Sequence, residues 1–256
     1  MKYAIIGVEG PHDQAFVGKV LKLLGFKDFR EKLKGLKSDL DPFWRKFIPV
    51  YPKKGNLYKR LDMPSILFND TISVAIYAGE GSNLVTNLDD ILSANPEYQT
   101  NLSAFGIVAD CDKPNPDRIV KPYASKFGSY FPNFPDRAGV VNTNSPRTGI
   151  YVLPDNVSQG VLDTLLCSCG EIAYPAYMEK ASSYLDGFSE EERKTLKWKN
   201  CDREKALVAT VVSVLKPGKT NTTSIADNNW VSEQTQQQVP ALANFIEFLS
   251  QLLEVS

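Results

Sequence analysis

Acidic residues close the short apolar runs of this 256-residue chain. Glu9 ends "AIIGVE", Asp110 and Asp112 end "FGIVADCD", and Asp155 follows "YVLP". A carboxylate at the end of a buried strand is costly unless it is solvated, paired or bound to a cation. Asp110 and Asp112 are two residues apart, and in an extended segment such side chains point to one side. Carboxylates held side by side repel unless a proton or a cation joins them. A hard divalent ion, Mg²⁺ or alternatively Mn²⁺, takes oxygen ligands of this kind. The competing reading of D-x-D before proline is a turn. Two further acids, Asp13 and Asp163, fall at the starts of the segments that follow. Each is open to a plainer reading, as a first-turn helical acid or a surface acid.

Other chemistries lack their residues. His12 is the single histidine, so a zinc site built from several histidines is excluded. There is no G-x-S-x-G nucleophile elbow and no G-x-x-x-x-G-K-S/T phosphate loop. The four cysteines, Cys111, Cys167, Cys169 and Cys201, have neither metal-type spacing nor a disulfide framework. With no signal-peptide pattern and no run of about 20 apolar residues, the expected setting is a reducing cytoplasm, with no membrane partner.

The elements that must position the acids follow from periodicity. "YAIIGV" (3–8), "ISVAIYA" (72–78), "FGIVA" (105–109) and "GIYVL" (149–153) are continuous apolar runs, as expected of strands buried on both faces of a parallel sheet. Helical patterns separate them: "DQAFVGKVLKLLGF", closed by Gly25, then "NPDRIVKPYASKFGSY", which Pro122 should break or bend, then "QGVLDTLLCSC". The expected fold is α/β, a parallel four-stranded Rossmann-like sheet flanked by helices. The carboxyl ends of parallel strands share one edge, where open α/β sheets place their sites. Glu9, Asp110, Asp112 and Asp155 can therefore converge. Pro11 suits the first turn of a helix whose free amides would favour a phosphate.

Two segments extend this frame of a single domain. An insertion at about 27–70 is rich in aromatic and basic residues. Lys22 to Arg60 carries twelve basic and four acidic residues, while the whole chain has a formal charge of -1. Such an asymmetry suits a polyanion or a plain solvated face. Lys53, Lys54, Lys59 and Arg60 are its candidate nucleic-acid contacts, and its aromatics would form a satellite core or stack bases. Arg118, Lys121 and Arg147 are weighed as phosphate contacts against ordinary surface charges. A helical C-terminal extension covers about 175–256, with Leu242, Phe245, Ile246, Leu249 and Leu253 on one stripe. The polar stretch 219–238 between its helices reads as a loop.

"VEGPHDQAF" and "GIVADCD", each at the end of an apolar strand and in this order, resemble the two motifs of the TOPRIM domain. That domain is shared by topoisomerases, bacterial primases and the nucleases named for overcoming lysogenization defects. "RTGIYVLPDNVSQGVLDTLL" and "REKALVATVVSVLKPGK" extend the resemblance to a family of stand-alone, uncharacterised TOPRIM-like proteins, over most of the chain outside the insertion. The resemblance implies Glu9 as a metal ligand or general acid/base, and Asp110 with Asp112 as the pair that holds Mg²⁺. It implies Asp13 as an extra acid where a second metal binds. Asp163 stands where the stand-alone family more often has Glu. No zinc module of a primase is present, and nothing marks a topoisomerase nucleophile among the 11 tyrosines. The implied function is Mg²⁺-dependent phosphodiester cleavage in nucleic acid. The alternative is a non-catalytic protein that binds Mg²⁺ and a nucleotide, a nucleic acid or a protein partner.

Overall fold

The computed structural model describes residues 1–29, 40–47 and 64–255. The four apolar runs form β1 (Lys2–Val8), β4 (Ile72–Ala78), β5 (Ala104–Asp110) and β7 (Arg147–Leu153). They lie side by side in the order β4-β1-β5-β7, all parallel. Their residues alternate between two cores. Ala4, Ile6, Val8, Val108, Tyr151 and Leu153 face one, and Ile5, Phe105, Ile107, Ile150 and Val152 face the other. Both faces are dry, which is why these strands read as continuous rather than alternating apolar runs.

The sheet is larger than the expected parallel four-stranded one, and it is mixed. β2 (Lys27–Asp28) and β3 (Ser65–Phe68) add antiparallel strands beyond β4, and β6 (Val141–Asn142) adds one beyond β7, making seven among the described residues. These edge strands have two to four residues, too short to carry a readable period. Short strands also blunt an open edge.

One face is covered by α1 (Pro11–Leu23), α5 (Leu162–Ala173), α6 (Pro175–Asp186), α8 (Asp202–Leu215) and the terminal α11 (Pro240–Leu253). The other is covered by α2 (Leu84–Ala94), α3 (Pro96–Asn101), α4 (Pro116–Phe127) and a 3₁₀ turn, Pro42–Arg45. α1 ends as expected: Gly25 is left-handed (φ 84°), and the Phe26 amide reaches back to the Leu21 carbonyl at 3.0 Å. α4 runs through Pro122 without a break. Pro122 and Arg118, one turn earlier, are both exposed, so the carbonyl that loses its partner faces water.

The stretch read as a loop folds into α9 (Asn221–Asp227) and α10 (Glu233–Gln238). Thr220 and Ser232 accept hydrogen bonds from the amides of Thr223 and Thr235, capping both helices. Ile225, Trp230 and Val231 anchor them in the core. Caps and three apolar residues suffice once a neighbouring surface exists, and periodicity over six or seven residues is too short to reveal that. A further short helix, α7 (Glu190–Thr195), begins with the Ser189–Glu192 capping box.

The described aromatics of the insertion join the core on the second face of the sheet, rather than forming a separate satellite core or a base-stacking surface. Phe43 stacks on Tyr3 at 3.9 Å between ring centres, and buried Trp44 donates from Nε1 to Ser73 Oγ at 2.8 Å. Lys53, Lys54, Lys59 and Arg60 lie outside the described residues. No helix among the described residues is long and apolar enough to cross a membrane.

The terminal stripe is buried as expected, with Phe245 fully enclosed. Its ring lies 5.0 Å from Phe16 of α1 and 4.9 Å from Tyr151 of β7. Phe245→Ala is expected to lower stability by about 3–5 kcal/mol, read as a lower urea midpoint. A wild-type midpoint would show that α11 is not part of the cooperative core.

Candidate active site at the carboxyl edge

The carboxyl ends of β1 and β5 are adjacent because the two strands pair in parallel, Val8 opposite Val108. Glu9 and Asp110, which follow, are tied directly: the Asp110 amide donates to Glu9 Oε1 at 3.1 Å. The Asp110 carboxylate is held in turn by the Leu162 amide, which donates to Oδ1 at 2.9 Å from the first turn of α5. That helix also carries Asp163, buried at 9% exposure. Asp13 sits in the first turn of α1 at 7% exposure and accepts the Gly10 amide through Oδ2 at 2.8 Å. Two backbone bonds between Cys111 and Gly160, at 2.9 and 3.0 Å, clamp the Asp110–Asp112 turn to the loop before α5.

These contacts fix one oxygen each of Glu9, Asp13 and Asp110. Glu9 Oε2 and Asp110 Oδ2 have no hydrogen-bond partner among the described residues. The charges are correspondingly uncompensated. Burial and then Glu9 push the Asp13 carboxyl up to about 7. Burial, then Asp13 and Glu9, push Asp110 up to about 8. Burial raises Glu9 too; the Asp110 amide and Lys205 oppose the rise and Asp112 adds to it. Asp163 is raised by burial, against His12 and Lys205. Groups this close lose their protons as a set rather than one by one.

Asp112 is exposed at the rim, where it adds to the field on Glu9 while its carbonyl accepts from Gln159 Nε2 at 2.9 Å. Asp155 stands at the same edge, but its carboxylate is committed to its own turn. It accepts from the amides of Val157 and Ser158 and from the Ser158 hydroxyl at 2.6–3.0 Å. Burial pushes its carboxyl up, and these bonds outweigh that and hold it below the usual range. The fold thus brings Glu9, Asp13, Asp110, Asp112 and Asp163 together and leaves Asp155 in the turn that its Asp-Asn sequence also allowed. Arg147 is at the opposite edge, opening β7, with its guanidinium on the Gln251 carbonyl and on Glu254, both at 3.0 Å. The phosphate-favouring amide nearest Glu9, that of Gly10, is already taken by Asp13.

Two residues of the site escaped sequence reading. Lys205, in the first turn of α8, is a cation whose charge bears on both Glu9 and Asp163. Tyr123 of α4 shares an apolar stripe with Val120 and Phe127. By spacing it is a core residue, and only the position of its hydroxyl distinguishes it.

The donor set is all oxygen and carries excess negative charge, which fits a hard divalent cation in kind. Among the described residues, no three Asp, Glu, His or Cys groups are arranged as a ready-made metal-holding group. Ligation would require the free oxygens of these side chains to turn inward.

The family described as "protein of unknown function (DUF3226)" matches residues 3–254. Among solved structures, the crystal structure of hypothetical protein PH0156 from Pyrococcus horikoshii OT3 matches with a TM-score of 0.50 and 15% identity, covering 99% of this chain and 96% of that one. At that identity the likeness speaks to the α/β fold alone. No curated protein matches the sequence.

The raised carboxyls make stability depend on pH. Their unfolded values lie near 3.8, and Asp13 and Asp110 rise to about 7 and about 8 on folding. Between about pH 4 and 8 the native state therefore holds more protons than the unfolded state, and stability falls as pH rises. Asp110→Asn keeps an acceptor for the Leu162 amide and removes one charge. It is expected to melt at least about 3 °C above wild type at pH 8, with the difference shrinking as the pH falls toward about 4. A metal-free wild type whose melting point climbs from pH 5 to 8 would contradict this account of the acids.

Proposed function

We propose that this chain, which belongs to the DUF3226 family, is a Mg²⁺-dependent enzyme that cleaves phosphodiester bonds in nucleic acid, with Mn²⁺ as an alternative ion. One observation carries the reading: buried acids from β1–α1, β5 and α5 meet at a single strand edge without enough positive charge to balance them. The TOPRIM resemblance of "VEGPHDQAF" and "GIVADCD" supports it independently. Glu9, Asp110 and Asp112 would hold the ion, with Asp13 and Asp163 beside them. The ion would supply stabilisation of the charge that builds on the transferring phosphate.

The chain's own part is orientation and proton handling. The Asp110 amide fixes Glu9, and the Leu162 amide fixes Asp110, so two carboxylates from neighbouring strand ends each keep a second oxygen free to turn toward an ion. As the alternative to ligating the ion, Glu9, which burial raises, would serve as the general acid/base. Lys205 limits the repulsion without cancelling it.

The second reading is a non-catalytic protein that binds Mg²⁺ with a nucleotide, a nucleic acid or a protein partner; the lack of a ready-made three-donor group among the described residues bears on both alike. Turnover separates the two. Labelled DNA and RNA are incubated with millimolar Mg²⁺ or Mn²⁺, and melting curves are recorded with and without the ion. An ion that binds the native state alone raises the midpoint. Cleavage by wild type is expected, with a loss of at least about a hundredfold in Glu9→Gln and Asp110→Asn, both folded by circular dichroism. Binding without turnover would select the second reading. Full activity in both variants, or neither cleavage nor a metal-dependent shift in wild type, would overturn the assignment.

A further inference from the structure

α4 begins directly after the Asp110–Asp112 turn, capped by Asn115, whose side chain accepts the Asp117 amide at 3.0 Å. It runs away from the carboxyl edge, and Tyr123 lies two turns along it. Helical side chains lean toward the helix N-terminus, so the long phenol reaches back toward the edge it has left. The residue is 7% exposed, and its ring packs on Phe127 with centres 6.3 Å apart. Its hydroxyl lies in the field of Glu9, Asp110, Asp112 and Asp13, Glu9 most strongly. Yet it forms no hydrogen bond with any of them, or with any other group among the described residues.

The buried side-chain atoms left without a partner among the described residues are Arg193 Nε and Asn228 Oδ1, so the Tyr123 hydroxyl, the polar tip of a buried ring, meets solvent and is free to donate to a ligand. The free donor lies within electrostatic reach of Glu9 and Asp110, each of which has one oxygen without a partner among the described residues. A ligand that satisfies both kinds of group carries acceptors for the phenol and arrives with a cation for the acids. A metal-accompanied phosphodiester has that composition. Burial and the four acids keep the phenol protonated, so it is a donor and not a nucleophile. Its neutrality also matters. A lysine or arginine in its place would pair with the acids and compete with a cation, whereas a phenol donates without adding charge.

We propose that the Tyr123 hydroxyl is a substrate-binding group that donates a hydrogen bond to a non-bridging oxygen of the phosphodiester held beside Glu9 and Asp110. The inference rests on the phosphodiester reading above and adds to it a contact to the substrate backbone rather than to a base. It therefore acts on any sequence.

The test compares wild type with Tyr123→Phe, which keeps the ring and its packing. Fluorescein-labelled DNA and RNA oligonucleotides are titrated by anisotropy in Ca²⁺, so that binding is read apart from cleavage. Melting curves with Mn²⁺ alone are recorded for both proteins. The expected result is an unchanged Mn²⁺-dependent melting shift in Tyr123→Phe and roughly tenfold weaker oligonucleotide binding, equal across sequences. Equal affinity in the two proteins would overturn the proposal while leaving the phosphodiester reading in place. Loss of the Mn²⁺ shift in Tyr123→Phe would also overturn it, by assigning the hydroxyl to the metal. A wild type with neither a Mn²⁺ shift nor oligonucleotide binding would remove the phosphodiester reading itself, and this inference with it.

Discussion

The hydrogen bond from the Asp110 amide to Glu9 Oε1 joins the two halves of the site. It exists because β1 and β5 are parallel neighbours in fixed register, so their carboxyl ends emerge level with each other. Around it the remaining contacts form a chain: Leu162 holds Asp110, Gly10 holds Asp13, and Cys111 with Gly160 clamps the intervening loop. Each is a backbone amide on a side-chain or backbone oxygen, so the site is positioned by the main chain of four segments and depends little on flexible side chains. A shift of β1 against β5 by one residue would turn Glu9 to the other face and dissolve the arrangement.

That arrangement runs against stability. Buried acids that repel one another are a cost, and the rest of the molecule must offset it. The two cores do so, one on each face of the sheet, with Phe245 packed on Phe16 and Tyr151 on one side and Phe105 packed on Phe127 and Phe131 on the other. Such local conflict within an otherwise consistent fold is the usual mark of a site rather than of a scaffold. The contrast with Asp155 is instructive. It is an acid at the same edge, but its carboxylate oxygens are committed to three hydrogen bonds from its own turn.

The insertion shows how composition can mislead about role. Aromatics interleaved with bases suit stacking against nucleic acid, yet Phe43, Trp44 and Phe47 turn inward onto Tyr3, Tyr77 and Tyr98. The same residue types serve a core wherever a sheet face is left uncovered, and only the packing separates the two uses.

The sequence by itself determined the four central strands, their burial on both faces and the amphipathic helices, because each signal is local: an unbroken apolar run, a 3.6-residue stripe, a glycine after the last turn. It also marked Glu9, Asp110 and Asp112, since an acid that ends a buried run is anomalous within a few residues of chain. Tertiary structure alone decided the rest. The antiparallel edge strands and the helices at 221–227 and 233–238 are shorter than any period that could announce them. Asp13 and Asp163 joined the site, Asp155 remained in its turn, and Tyr123 and Lys205 entered from helices that look like ordinary core and surface. Those outcomes depend on which groups the fold brings within reach of one another, and charge acts through space rather than along the chain.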